Sequence, residues 1–147
     1  MVQRILIGIQ ARSTSSRLPG KALALIAGRT MLDRVVGACR SSAKYLADRH
    51  GVEAIVAVLC PHGDEIVSQY REAPVHVGSS EDVLDRYART AEALAADLVV
   101  RITGDCPLIP TFVVSRVVSL ALERGYDYIS NVDERFRPTL DGADCEV

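Results

Sequence analysis

Two short stretches of this sequence combine charged, hydroxylated and glycine residues in the manner of anion-binding loops. The first, residues 10–21, follows an apolar run and contains Arg12, Arg17 and Lys21, with four hydroxylated residues between the two arginines. Small residues let backbone N–H groups face an anion, and the cations add fixed positive charge. The stretch is therefore suited to a polyphosphate, although a solvated Ser/Arg loop closed by a Pro-Gly turn is the alternative interpretation.

This first loop matches neither of the two common phosphate-binding signatures. Counting back from Gly20-Lys21, the first glycine of a Walker P-loop would fall on Ser15, and Ala22 stands where that motif needs a metal-binding Ser or Thr. The G-x-G-x-x-G pattern of dinucleotide-binding domains is also missing from the sequence. The loop therefore predicts an anion site of another kind.

The second stretch, residues 103–110 (TGDCPLIP), provides a carboxylate at Asp105. It follows the apolar run 98–102, and the carboxyl ends of parallel strands meet at the ligand edge of an α/β sheet. Beside a polyphosphate, Asp105 is predicted to hold Mg²⁺ while phosphate oxygens supply further ligands. The alternative is that Asp105 only forms the turn before Cys106-Pro107.

Alternating strand and helix patterns organise the chain around these loops. Helix patterns begin with a capping box at Thr30 and Asp33 and with a cap at Asp64. The predicted strands are 5–9, 54–59, 75–77, 98–102 and 126–130, and the predicted helices are 30–46, 64–71, 82–96 and 111–123. This alternation predicts one α/β domain over residues 1–147, with three layers and a mainly parallel sheet.

Composition excludes several classes of function. The net charge is −2, and the aromatic residues are five Tyr and two Phe, so neither a basic surface nor a stacking platform for nucleic acid is expected. No apolar run approaches the roughly 20 residues of a membrane span. The four cysteines are scattered without a C-x-x-C pair, which predicts reduced thiols in a cytoplasmic protein: Cys39, Cys60, Cys106 and Cys145.

The first loop also resembles a known family. Its residues 9–21 follow the pattern I-Q-A-R-x-x-S-x-R-L-P-G-K, which is similar to the signature of the CTP-dependent sugar cytidylyltransferases. That family includes the 3-deoxy-manno-octulosonate and acylneuraminate cytidylyltransferases and the spore coat polysaccharide biosynthesis protein F group. The resemblance implies a nucleotide-diphospho-sugar transferase-like (Rossmann-like) α/β/α fold and a loop that wraps CTP. It assigns phosphate binding to Arg12 and Lys21, with Arg17 as a weaker third and Gln10, Ala11 and Ser13 as further nucleotide contacts.

Two later segments extend the resemblance. The G-D-x-P-L pattern at 104–108 implies that Asp105 is the Mg²⁺-binding and catalytic aspartate, with Thr103 near the base or ribose. Residues 78–87 are similar to G-x-x-x-D-V-L-x-R-Y, the helix start that lines the cytosine pocket. Cytosine presents an amino donor beside two acceptors, and Ser80 and Asp82 are the residues assigned to it. The same segment is also a good helix cap, formed by Ser79 with Asp82.

The end of the sequence supplies the residues assigned to the sugar. Asn131 ends the predicted strand 126–130, and Asp144 and Glu146 belong to a G-x-D-x-E-V pattern that would face an acceptor sugar or a second metal. Arg101 lies inside an apolar strand and therefore needs a partner. That partner is either a phosphate or carboxylate of the ligand or an internal Asp or Glu.

The predicted function is cytidylyl transfer from CTP to a sugar, giving a CMP-sugar and pyrophosphate in surface polysaccharide or glycan biosynthesis. One alternative is another nucleotidyltransferase or glycosyltransferase of the same fold, and another is a nucleotide-binding remnant without turnover. Members of the family are substantially longer, so the chain is expected to be truncated at its C-terminus. It is also expected to form a homodimer or to self-associate.

Overall fold

The computed structural model describes residues 2–132 and 142–147. A short 3₁₀ turn, Lys21–Leu23, follows the first loop. The strands are β1 (Arg4–Gln10), β2 (Leu25–Ile26), β3 (Arg29–Thr30), β4 (Glu53–Pro61), β5 (Val75–Gly78), β6 (Leu98–Thr103) and β7 (Cys145–Glu146). The helices are α1 (Met31–His50), α2 (Ile66–Gln69), α3 (Val83–Ala93) and α4 (Thr111–Arg124).

The main sheet has the order β5-β4-β1-β6-β7, and β2 and β3 form a separate antiparallel hairpin. The pairs β5-β4, β4-β1 and β1-β6 are parallel, whereas β7 is antiparallel to β6. β1 therefore lies between β4 and β6, and their three carboxyl ends come side by side. The predicted α/β fold with a mainly parallel sheet is confirmed.

Helices cover both faces of this sheet, as the alternating side chains of β1 show. Ile5, Ile7 and Ile9 are fully buried in the larger core, which also contains apolar residues of α1 and α4. Leu6 points to the opposite face and packs in a smaller cluster with Tyr87 of α3. The predicted three-layer arrangement follows from these two cores.

Tyr87 lies against the backbone of β1 at Gly8. Its hydroxyl donates a hydrogen bond to the Gly8 carbonyl at 3.0 Å. A Cβ at Gly8 would come within 2.5 Å of the Tyr87 ring. The glycine in the apolar run is therefore the residue that lets this ring pack under the central strand.

The predicted strand 126–130 is wrong. Its residues make only an isolated bridge, between Ser130 and Glu146. β7 is the strand that pairs with β6. The segment that ends at Ser130 contacts residues 146–147 instead, and Ile129 and Val147 exchange backbone hydrogen bonds. Tyr126 and Tyr128 are therefore largely exposed.

Two local predictions have different outcomes. The capping box is confirmed, since Asp33 N–H donates to Thr30 Oγ1 at 3.0 Å and Thr30 N–H donates to Asp33 at 3.2 Å. The cap of α3 is Asp82 itself, whose carboxylate accepts from Asp85 N–H at 2.9 Å. Ser79 instead accepts from the N–H groups of Glu81 and Asp82, which shapes the turn before the helix.

All four cysteines are buried free thiols, as expected for reduced residues. Burial raises the pKa of Cys39 and of Cys145 to about 12, and that of Cys60 to about 11. Among the helices of residues 2–132 and 142–147, none is both long and apolar enough to cross a membrane.

Candidate active site

A cleft of about 590 Å³ opens at the carboxyl ends of β1, β4, β5 and β6. The segments that follow these strands form its walls, because parallel strands deliver all four of them to the same edge. Its lining includes most of the residues assigned to the nucleotide from the sequence: Gln10, Ala11, Arg12, Ser13, Arg17, Lys21, Ser80, Thr103 and Asp105.

The first loop is closed by hydrogen bonds that converge on Ser13. The Ser13 carbonyl accepts from Gly20 N–H at 2.8 Å and from Ser15 N–H at 3.0 Å. Gly20 adopts a left-handed conformation with φ 70°. The loop thus turns back immediately before Lys21 and brings Arg12, Arg17 and Lys21 to one cleft.

Asp64 connects this loop to the neighbouring strand. The residue is 8% exposed, and its Oδ2 accepts from Ser13 N–H at 2.8 Å. Its Oδ1 accepts from Ile66 N–H at 3.0 Å, but the N-cap of α2 is Glu65, so the cap predicted at Asp64 lies one residue too early. The bond to Ser13 could not be predicted from the sequence, because a partner 51 positions away leaves no local pattern. The one available signal was an acidic residue that follows a buried strand ending at the same sheet edge.

Lys21 and Asp105 form an ion pair across the cleft. Lys21 Nζ lies 2.5 Å from Asp105 Oδ2, and the two side chains are 24% and 44% exposed. Partial burial opposes ionisation of Asp105, but the hydrogen bond and positive charge of Lys21, together with hydrogen bonds from its own backbone N–H and from Thr103, hold the pKa of the carboxyl below its ordinary value. The carboxylate is therefore charged at neutral pH and faces the basic loop.

Gly104 allows the second loop to approach the first. Its N–H donates to the Gln10 carbonyl at 2.8 Å, and a Cβ there would lie 2.9 Å from that oxygen and 3.0 Å from Ala11 Cβ. Gln10 also has a buried side-chain oxygen, Oε1, with no hydrogen-bond partner among the described residues. Gln10 lines the cleft, although this oxygen itself is buried.

The opposite wall contains Arg86, which sequence reasoning quoted within the helix motif but did not assign to the site. It is 3% exposed and donates from Nε and Nη2 to the Ser79 carbonyl at 3.1 and 2.7 Å. This contact fixes the turn that presents Ser80 to the cleft. Asp82 caps α3 beside the cleft and is not among its lining residues.

The residues assigned to the sugar lie apart from the cleft lining. The Asn131 side chain donates to the Ala143 carbonyl at 2.7 Å and accepts from Cys145 N–H at 2.8 Å. Glu146 pairs with Arg101 at 2.9 Å, so the internal carboxylate is the partner of that strand arginine.

Asp144 lies closer to the second loop. Burial raises the pKa of the Cys106 thiol, and the negative charges of Asp105 and Asp144 add to the rise. Asp144 is therefore within electrostatic range of the residue that follows Asp105. Within residues 2–132 and 142–147, no three His, Cys, Asp or Glu side chains cluster as a protein-only metal site would require.

Comparison with known proteins identifies the family. A family model for cytidylyltransferases matches residues 6–139. The chain belongs to the cytidylyltransferase family. The family is one of nucleotidyltransferase enzymes, and the matched region includes both loops of the cleft.

Individual relatives agree with this assignment. The cytidylyltransferase chain is 34% identical over 127 residues to the spore coat polysaccharide biosynthesis protein SpsF of Bacillus subtilis, covering 84% of this chain and 52% of that protein. It is 35% identical over 120 residues to a 3-deoxy-manno-octulosonate cytidylyltransferase of Acinetobacter baumannii, covering 80% of this chain and 46% of the relative. The chain thus spans about half the length of these curated relatives.

Solved structures show the same fold. A cytidylyltransferase from Leptospira borgpetersenii superposes with a TM-score of 0.82 at 28% identity, over 98% of this chain and 59% of that chain. The synthetase of CMP:2-keto-3-deoxy-manno-octonic acid, solved in complex with CTP, superposes with a TM-score of 0.68 at 25% identity. That match covers 84% of this chain and 48% of the synthetase chain.

Proposed function

We propose that this protein binds CTP in the cleft and transfers its CMP group to a sugar hydroxyl, in the synthesis of a surface polysaccharide or another glycan. The observation that carries the proposal is the meeting of a basic loop and an ionised aspartate at the adjacent ends of β1 and β6, shown by the Lys21–Asp105 pair. The CTP complex of the structurally similar synthetase supports the choice of nucleotide.

In the proposed reaction, an oxygen of the sugar hydroxyl bonds to the α-phosphorus of CTP while the bond from that phosphorus to the bridging oxygen of pyrophosphate breaks. The hydroxyl proton passes to water, and pyrophosphate leaves. Arg12 and Lys21 would hold the phosphate oxygens and offset the negative charge that develops on them. Such a reaction depends on positioning and electrostatics rather than on a covalent enzyme intermediate.

A divalent cation, which we take to be Mg²⁺, fits the donor set of this cleft. Mg²⁺ is commonly held by one or two carboxylates together with substrate phosphates, and Asp105 offers a partly exposed, ionised carboxylate beside the phosphate loop. When bound there, the metal would neutralise charge on the phosphates and on the leaving pyrophosphate. In the free cleft, Lys21 supplies the positive partner of Asp105.

The proposal also covers the remaining nucleotide contacts, the approach of the sugar, and the location and association state of the protein. Gln10, Ser80 and Thr103 line the cleft and are the further residues assigned to the nucleotide. The sugar would approach from the side of Asp144. A cytoplasmic location and self-association belong to the same proposal.

Titration calorimetry with CTP in the presence of Mg²⁺ tests the phosphate assignment. Arg12→Ala or Lys21→Ala should weaken CTP binding about ten- to hundredfold, because each removes a charge-assisted contact. Lys44→Ala is the matched control, since Lys44 forms an exposed ion pair with Asp48 on α1. Unchanged CTP affinity in both loop variants would remove the central claim.

The metal assignment is tested by comparing CTP affinity with Mg²⁺ and with EDTA. Asp105→Asn preserves the side-chain size and removes its charge, so it should abolish most of the gain in affinity that Mg²⁺ provides. If the variant keeps the full gain, the metal is held elsewhere. Titrations with UTP, GTP and ATP, and an assay of pyrophosphate release with candidate sugars, separate the proposed enzyme from another nucleotidyltransferase and from a binding protein without turnover.

A further inference from the structure

Asp64 uses both carboxylate oxygens on backbone N–H groups of two different segments. Oδ2 accepts from Ser13 in the first loop at 2.8 Å, and Oδ1 accepts from Ile66 at the start of α2 at 3.0 Å. The side chain is buried, so these bonds are shielded from competing water. One aspartate therefore ties the loop after β1 to the loop after β4.

Ser13 passes this restraint along the loop. Its N–H is held by Asp64, and its carbonyl accepts from Ser15 and Gly20. Gly20 directly precedes Lys21, so a single peptide segment connects Asp64 to the position of the lysine.

The site needs a carboxylate rather than an amide. An asparagine has only one acceptor oxygen, and its NH₂ group would face one of the two N–H groups that Asp64 now satisfies. A buried donor left without a partner costs free energy, and the loop can avoid that cost by moving.

We propose that Asp64 is a positioning residue that holds the first loop in its nucleotide-binding conformation; this inference rests on the proposed function. A negative charge in the lining of an anion site would by itself repel phosphates. If Asp64 affects CTP only by electrostatic repulsion, removal of its charge should tighten CTP binding. If Asp64 acts by holding the Ser13 N–H, the same change should weaken CTP binding. The two roles predict opposite signs.

The experiment measures the affinities of CTP, CMP and cytidine for the wild type, Asp64→Asn and Asp64→Ala, below each protein's melting temperature. Both variants should lose about ten- to hundredfold in CTP affinity, less for CMP, and little for cytidine, because the loop contacts the phosphates. A merely structural role would lower all three affinities together. Equal or tighter CTP binding by Asp64→Asn, or an equal loss for all three ligands, would overturn the proposal.

Asp97→Asn is the matched control at the other end of β1. Asp97 Oδ2 accepts from the N–H groups of Gln3 and Arg4 at 2.8 and 3.0 Å, far from the cleft. Its replacement should lower the melting temperature while leaving CTP affinity unchanged. If the wild type binds no CTP, the proposed function fails; if the wild type binds CTP and Asp64→Asn binds it equally well, only the role of Asp64 fails.

Hydrogen exchange provides a measurement that needs no variant. The Ser13 amide proton should exchange as slowly as the β1 amides beside it, because its acceptor is buried. Rapid exchange of the Ser13 amide in the folded wild type would overturn the proposal even if the Asp64 variants do not fold.

Discussion

Lys21 and Asp105 are 84 positions apart in the sequence, and the fold brings them together as an ion pair. Burial alone would raise the pKa of Asp105, whereas its bond to Lys21 lowers it, and the balance is a pKa below the ordinary value of 3.8. A carboxyl whose pKa is lowered by folding stabilises the fold above its ordinary pKa. That contribution is lost as the pH falls through the lowered value.

Lys21→Met should raise the pKa of Asp105, because the burial that opposes ionisation remains when the ammonium is removed. A pH titration followed by NMR of the carboxyl carbon would measure the change directly. Lys44→Met serves as the control and should leave the Asp105 titration unchanged. A titration of Asp105 that is the same with and without Lys21 would show that other contacts set its pKa.

Some site residues could be predicted from their neighbours in the sequence, whereas others are identified only by contacts between separate loops. Arg12 and Asp105 each come three residues after an apolar run, and Lys21 closes the same loop as Arg12, so their place at the strand ends could be predicted from the order of residue types. Asp64 and Arg86 act on backbone groups of Ser13 and Ser79, and such contacts depend on how separate loops meet. A sequence pattern records a residue's neighbours in the chain, not the carbonyl or N–H that it will reach.

β1 positions the site because both of its neighbours are parallel to it and end at the same edge. The register of β1 is fixed by packing on both faces of the sheet. Three isoleucines pack into the larger core on one face, and Leu6 packs with the Tyr87 ring on the face that α3 covers. A shift of this strand would move Gln10 and the first loop relative to β6.

Gly8→Ala should destabilise the protein by about 1–3 kcal/mol, since a Cβ would clash with Tyr87 and overpack the α3 face. Gly37→Ala provides the control, because a Cβ at this α1 position meets no atom within 4 Å. That substitution should instead stabilise the helix by up to about 1 kcal/mol. Urea denaturation of the two variants would measure both changes, and equal stabilities would contradict the packing role of Tyr87.

Most helices and main-sheet strands could be predicted from their local residue patterns, and α1 and α3 also from their side-chain caps at Thr30 and Asp82. Residues 126–130 have an apolar and aromatic pattern but make only an isolated bridge, and the β2–β3 hairpin was not predicted. The strand that pairs with β6 is β7, which is two residues long and antiparallel. Which segment pairs with a sheet edge depends on contacts distant in sequence, so the local pattern gave the wrong answer.

At the scale of the whole molecule, residues 142–147 are attached to the sheet by side chains far away in sequence. Glu146 pairs with Arg101 of β6, and Asn131 bonds to both Ala143 and Cys145. These contacts place the final strand against the central sheet and explain why Arg101 is tolerated in an apolar strand.

Asn131→Ala should destabilise the fold by about 1–3 kcal/mol, because it leaves buried backbone groups of Ala143 and Cys145 without this partner. It should also speed hydrogen exchange at the Cys145 and Val147 amides. CTP affinity should stay the same, since Asn131 lies outside the cleft lining. A loss of sugar-dependent turnover in a variant of normal stability would instead support the sugar-binding role assigned to Asn131 from the sequence.

The cleft is assembled from four strand ends, and two of its closing contacts join residues 51 and 84 positions apart. An incompletely folded chain therefore has no complete cleft, and a ligand bound there would select only the native molecules from the population. By mass action, such a ligand at a hundred times its dissociation constant adds about 2.7 kcal/mol to the free energy of unfolding. Under the proposed function, CTP would therefore stabilise the folded protein, so the protein should be degraded more slowly when CTP is abundant than when it is scarce.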